Sequence, residues 1–153
     1  MRDQFTVSGI TGATAATADK PIASLWNPST AKRIVATDIW VFATTAGGID
    51  RPKLRRISAK GTITTEVAVV AGNGHDGDLV APVSGALLDL VFSADPTFVV
   101  GECHQGFKPA TIGAGFMFRA DPGIEIPEGG GLCLCTGSAL AFPVSIVTFS
   151  YFE

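Results

Sequence analysis

The 153-residue sequence predicts an all-β chain folded as a sandwich. Three observations lead there. Short runs rich in β-branched and aromatic residues recur along the chain, and Gly, Pro or Asn ends each one. Eighteen glycines and nine prolines are spread over the whole length, which favours many turns over long helices. The block Gly123–Glu153 (GIEIPEGGGLCLCTGSALAFPVSIVTFSYFE) reads as three strand segments cut by Pro-Glu-Gly-Gly-Gly and Thr-Gly-Ser. Its last run interleaves Val144, Ile146, Val147, Phe149 and Tyr151 with Ser145, Thr148 and Ser150. A chain ending in such a run should hold it inside a sheet, since a loose apolar end aggregates.

The segments follow in order. Residues 1–20 are rich in Thr, Ala and Gly and have little to bury, so they predict an extended N-terminal arm outside the body, ordered against a neighbour if at all. Phe5 and Val7 are its apolar anchors. Residues 21–153 form the sandwich domain. Pro21–Asn27 is a first strand, closed by Asn27-Pro28-Ser29-Thr30. Lys32–Thr45 places Ile34, Val35, Ile39, Trp40, Val41 and Phe42 on both faces, which predicts a central strand covered on each side. Trp26 and Trp40 are expected in the core. Arg51–Lys60 is a strand or edge segment crowded with Arg51, Lys53, Arg55, Arg56 and Lys60. Its charge either protects an edge or docks on an acidic partner.

Thr64–Val70 is another strand, and the polar loop Asn73–Asp78 follows. Val80–Ser84 is short and extended. Gly85–Ser93 has some helical flavour, although Val91 and Phe92 suit a strand. Phe98–Val100 resumes the chain after Asp95-Pro96, and Gly101–Gly113 is a loop. Gly115–Ala120 is a strand ended by a turn at Asp121-Pro122-Gly123. Eight or nine short strands at this spacing suggest a sandwich or jelly roll.

Charge is sparse, at 16 % of residues, and the chain is 46 % apolar, so apolar surface should remain for a partner subunit to cover. A net charge of −3 gives no case for nucleic-acid binding, and no apolar run is long enough to span a membrane. No signal peptide is visible at the N-terminus. Residues 1–60 hold nine Lys/Arg against four Asp/Glu, and residues 61–153 two against ten. If these parts form different surfaces, neighbouring copies would meet with opposite charge.

The motifs for chemistry are thin. Asn73–Asp78 offers oxygens for a cation but lacks the closing Glu of a calcium loop, and reads as a plain turn. His75 and His104 have no partner at metal-ligand spacing. Cys103 lacks an orienting carboxylate, so it is a poor nucleophile. Gly129-Gly130-Gly131 has neither the Lys nor the helix of a phosphate loop. Cys133 and Cys135, two apart on a strand, are expected to be buried free thiols, as suits synthesis in a reducing cytosol. No catalytic residue, metal site or cofactor is predicted, and the chain is not expected to be an enzyme.

Ser24-Leu25-Trp26-Asn27-Pro28, followed by Lys32-Arg33-Ile34-Val35 opening a long strand, resembles small virion proteins of tailed bacteriophages. Arg56–Thr62 and the ending from Ile124 to Glu153 fit the same picture. In particular the chain is similar, over residues 21–153, to jelly-roll decoration (cement) proteins of phage capsids. The resemblance implies a structural protein, homotrimeric, made in the host cytoplasm and bound to the major capsid protein on the outside of the head. A trimeric receptor- or carbohydrate-binding jelly roll of a tail or fibre is the alternative. The expected contacts are Phe5 and Val7 in the arm, Arg51, Lys53, Arg55 and Arg56 in the basic segment, and Phe149 and Tyr151 on a strand face that meets another subunit.

Overall fold

A computed structural model describes residues 3–69, 84–106 and 111–153. Their strands are β1 (Gln4–Ile10), β2 (Pro21–Asn27), β3 (Ile34–Ala43), β4 (Lys53–Ala59), β5 (Thr62–Ala68), β6 (Leu87–Ala94), β7 (Thr97–Phe98), β8 (His104–Gln105), β9 (Gly115–Ile126), β10 (Gly130–Cys135) and β11 (Ser145–Phe152). They form two sheets with antiparallel pairing, one in the order β1-β11-β3-β9 and a larger one in the order β5-β6-β2-β10-β4-β7, with β8 also on β4. The two sheets share one hydrophobic core, so the fold is a β-sandwich.

Strand alternation decides what enters that core. In the four-stranded sheet the inward rows run Val7–Phe149–Ile39–Phe118 and Gly9–Val147–Val41–Phe116 across β1, β11, β3 and β9. The larger sheet answers with Leu54, Leu132, Leu134, Leu25 and Leu88, all fully buried. Each such side chain contributes about 1.5–3 kcal/mol when it leaves water.

The N-terminal stretch differs from the expected arm. Gln4–Ile10 pairs residue for residue with β11, from Gln4↔Phe152 to Ile10↔Ile146. Phe5 stacks on Tyr151 with ring centroids 5.4 Å apart, and Phe5 and Val7 are each only 1 % exposed. Both residues are therefore core, and no longer anchors for a neighbour. The small residues that suggest an arm lie after Ile10. They form the link to β2, where the Thr11 amide bonds the Ser145 carbonyl at 2.9 Å. With β1 outside it, β11 lies inside the sheet, as the end of the sequence required.

Three further segments differ in detail. Of Gly85–Ser93, the part from Leu87 on is strand, in β6, where Leu88 and Leu90 alternate into the core. The turn expected at Asp121-Pro122-Gly123 lies within β9: the register steps from Asp38↔Arg119 to Ala36↔Ile124, so the extra residues bulge out opposite Thr37. Gly123 has φ +107, and a Cβ there would stand 2.4 Å from Val35 Cγ1, so only glycine fits. β4 is interior to its sheet, flanked by β10 and by β7 and β8, and is no edge strand. Asn73–Asp78, with His75, and residues 80–83 lie outside the described residues.

Candidate interaction surface

The two outer faces of the sandwich are opposites. On the larger sheet a polar row, Glu66–Asp89–Ser24–Cys133–Arg55, crosses β5, β6, β2, β10 and β4. Ser24, Asp89 and Cys133 are all fully buried although the row faces outward. Long charged side chains roof it. Lys60 reaches from the β4–β5 turn to Asp89 Oδ1 at 3.2 Å and also pairs with Glu66, while the Ser24 hydroxyl donates to Asp89 Oδ2 at 2.9 Å. Burial is the main cause that pushes the Asp89 carboxyl up to about 6, opposed by the Ser24 and Lys60 contacts.

The basic segment is consumed in the same way. Lys53 pairs with Glu102 at 2.7 Å and with Asp19 at 3.6 Å. Arg55 lies over the Phe98 ring at 4.5 Å and approaches Asp19 at 3.4 Å. Arg56 points the other way, between the sheets, and donates to the Glu125 carbonyl. Of the four predicted basic contacts, Arg51 is the one left exposed. The opposite charges expected to meet between copies meet within the chain: Lys20–Asp95, Lys32–Glu153 and Arg33–Glu125 each join the basic part to the acidic part. The count by halves was correct, but antiparallel pairing folds one half onto the other.

The outer face of the four-stranded sheet is bare by comparison. Three of its rows are Ile10–Ile146–Phe42–Gly115, then Ser8–Thr148–Trp40–Met117, then Thr6–Ser150–Asp38–Arg119. The apolar members are exposed by 60 % (Ile10), 39 % (Ile146), 41 % (Phe42), 39 % (Trp40) and 42 % (Met117). Trp40 and Phe42, two apart on β3, stack with centroids 6.3 Å apart. Gly115 makes room for this: a Cβ there would stand 2.4 Å from the Phe42 ring, so the ring lies flat across β9. Two hydroxyl pairs, Ser8–Thr148 at 2.6 Å and Thr6–Ser150 at 3.1 Å, continue the face, and Arg119 Nε bonds Asp38 Oδ1 at 2.9 Å at its far side.

This geometry moves the predicted contacts. Phe149 and Tyr151 are fully buried on the inner face of β11, and the Tyr151 hydroxyl meets Ser84 Oγ at 2.7 Å. The outward side of β11 is the alternate set, Ile146, Thr148 and Ser150. β3 is interior, but only one of its faces is covered, so Trp40 leaves the core to which the sequence assigned it. The missed signal was alternation: Trp40 and Phe42 share one parity, and Ile39 and Val41 share the other.

Cys133 and Cys135 are buried free thiols, both pushed up chiefly by desolvation, Cys135 to about 12. Cys103 is exposed, and His104 packs on Phe118 with centroids 5.4 Å apart. Among the described residues no group of three His, Cys, Asp or Glu side chains could hold a metal ion. A cleft of about 230 Å³ lined by Thr14, Lys20, Phe92 and Asp95 brings together no convergent set of polar groups beyond the Lys20–Asp95 pair. No family model, curated protein or solved structure matches the chain.

Proposed function

We propose that the protein is a structural virion subunit, a jelly-roll capsid decoration protein that binds the outside of a phage head and stabilises the shell. One observation supports this above the others: large apolar side chains gather on the outer face of one sheet, while the opposite face is roofed by the chain's own charges. Contiguous apolar surface rimmed by hydroxyls and one ion pair is the make-up of a protein–protein contact. The strand-and-turn resemblance supplies the setting. A carbohydrate module would use the same Trp40 ring, but Ile10, Ile146, Phe42 and Met117 around it suit a protein better than a sugar.

Co-sedimentation with empty heads of the phage that encodes the chain tests the reading. Stoichiometric binding and a higher rupture temperature of the heads are expected. Heads that neither bind the protein nor gain heat resistance overturn it.

A further inference from the structure

We infer that β5, together with the Lys60 turn that leads into it, is a pH-sensitive edge of the larger sheet: it seats on β6 while Asp89 is protonated and lifts off as Asp89 ionises. The hold on this strand is slight. β5 ends the sheet order and, among the described residues, has β6 as its one ladder partner. Their register breaks between Thr62 and Ile63, between Ile63 and Thr65, and between Thr65 and Glu66. Ile63 and Val67 are half-buried and the rest of β5 is exposed, whereas every residue of β10 is buried. Few buried apolar contacts and an exposed ladder mark a segment that opens by itself, at less cost than global unfolding.

The turn between β4 and β5 carries a staple. Lys60 Nζ stands 3.2 Å from Asp89 Oδ1 on β6 and also pairs with Glu66 on β5. Among the described residues, the groups that face Asp89 are Ser24 from β2, Lys60 from the turn and Glu66 from β5, with Cys133 of β10 and Arg55 of β4 further along the same row. Asp89 is fully buried, and its Oδ1 has no hydrogen bond beyond the Lys60 ion pair. An ionised carboxylate is thus kept from water with a single cation beside it, while Glu66 repels it. Protonation removes that cost with β5 seated. Lifting the turn removes it as well, by letting water reach the carboxylate.

Linkage gives the direction. With β5 seated, burial holds the Asp89 carboxyl up at about 6, and in water it has its ordinary value of 3.8. The seated state therefore binds the proton more tightly. Its advantage is full below 3.8 and is lost as pH rises through about 6. Between pH 4.5 and 7.5 these two values raise the opening equilibrium roughly twentyfold. Lys60 opposes burial, so it limits the opening once Asp89 is ionised. Lifting β5 bares the backbone of β6, and an uncovered edge can accept another extended segment.

Hydrogen-exchange mass spectrometry on the full chain at pH 4.5 and 7.5, with rates corrected for the intrinsic pH dependence of amide exchange, tests the edge. Residues 62–68 should exchange at least about tenfold faster than residues 145–152 of β11, which open only with the whole domain. Their protection should fall roughly twentyfold from pH 4.5 to 7.5. Asp89→Asn, which cannot ionise, should keep the protection of residues 62–68 the same at both values. Lys60→Gln should raise opening over wild type more at pH 7.5 than at 4.5, a difference that a merely structural loss at the turn does not produce. Residues 62–68 as protected as β11, a wild type whose protection there ignores pH, or a pH response that survives in Asp89→Asn would each overturn the proposal. Should Asp89→Asn fail to fold by circular dichroism, the wild-type comparison and Lys60→Gln still decide it.

Discussion

Asp89 gives the chain a pH dependence of unusual sign. Its carboxyl is fully buried between Ser24 and Lys60, and burial raises it from an ordinary 3.8 to about 6. The folded state therefore binds this proton more tightly than the unfolded state does. Stability linked to Asp89 is fully present below the unfolded value of 3.8 and is lost as pH rises through about 6. At about 1.36 kcal/mol per unit the loss amounts to about 3 kcal/mol. The perturbation is Asp89→Asn, which keeps the shape and an acceptor for the Ser24 hydroxyl but cannot ionise. Urea denaturation of both proteins between pH 4.5 and 7.5 is the assay. The wild-type midpoint should fall relative to the variant as pH rises across this window, with the variant more stable at the upper end. Since Glu102, held low mainly by its hydrogen bond from Lys53, acts in the opposite direction and at lower pH, only the difference between the two proteins is diagnostic. Parallel curves, or a wild type that gains on the variant with rising pH, would refute the reasoning.

Further outcomes follow from the packing. Phe5→Ala should cost about 3–5 kcal/mol in denaturant midpoint analysis, because it empties the space against Tyr151; a loss below about 1 kcal/mol would restore the arm. Phe149→Asp buries a charge in the core and should leave no cooperative unfolding transition by circular dichroism. Gly115→Ala should lower the melting temperature and change Trp40 emission, since the new methyl meets both the Phe42 ring and the Val41 carbonyl at 2.4 Å. Maleimide should label Cys103 in the native protein at once, and reach Cys133 and Cys135 only after denaturant is added.

The sequence made the sandwich legible because turn residues and β-branched runs act locally. Pro21–Asn27 was read to the residue, and the interior place of the last strand followed from its apolar content. Partnerships across the chain were not legible. Nothing near Phe5 says that it will pair opposite Tyr151, about 146 residues away in sequence. The Arg55 and Lys53 charges looked free because their partners, Asp19 and Glu102, come from loops that only the fold brings near. The surface itself was half legible. The low charge announced that apolar area would remain, and period-two alternation along Trp40, Phe42 and Ile146 could have located it. Both parities of β3 are apolar, however, and such a strand does not reveal which side is covered.

Hydroxyl-radical footprinting of Trp40 and Met117 tests the central claim most directly, with exposed Val100 and Leu140 as references. If the outer face of the four-stranded sheet is an assembly surface, both side chains are protected at high protein concentration or on heads and become reactive on dilution, while the references do not change. Reactivity at Trp40 and Met117 that is the same at every concentration and on heads would contradict it.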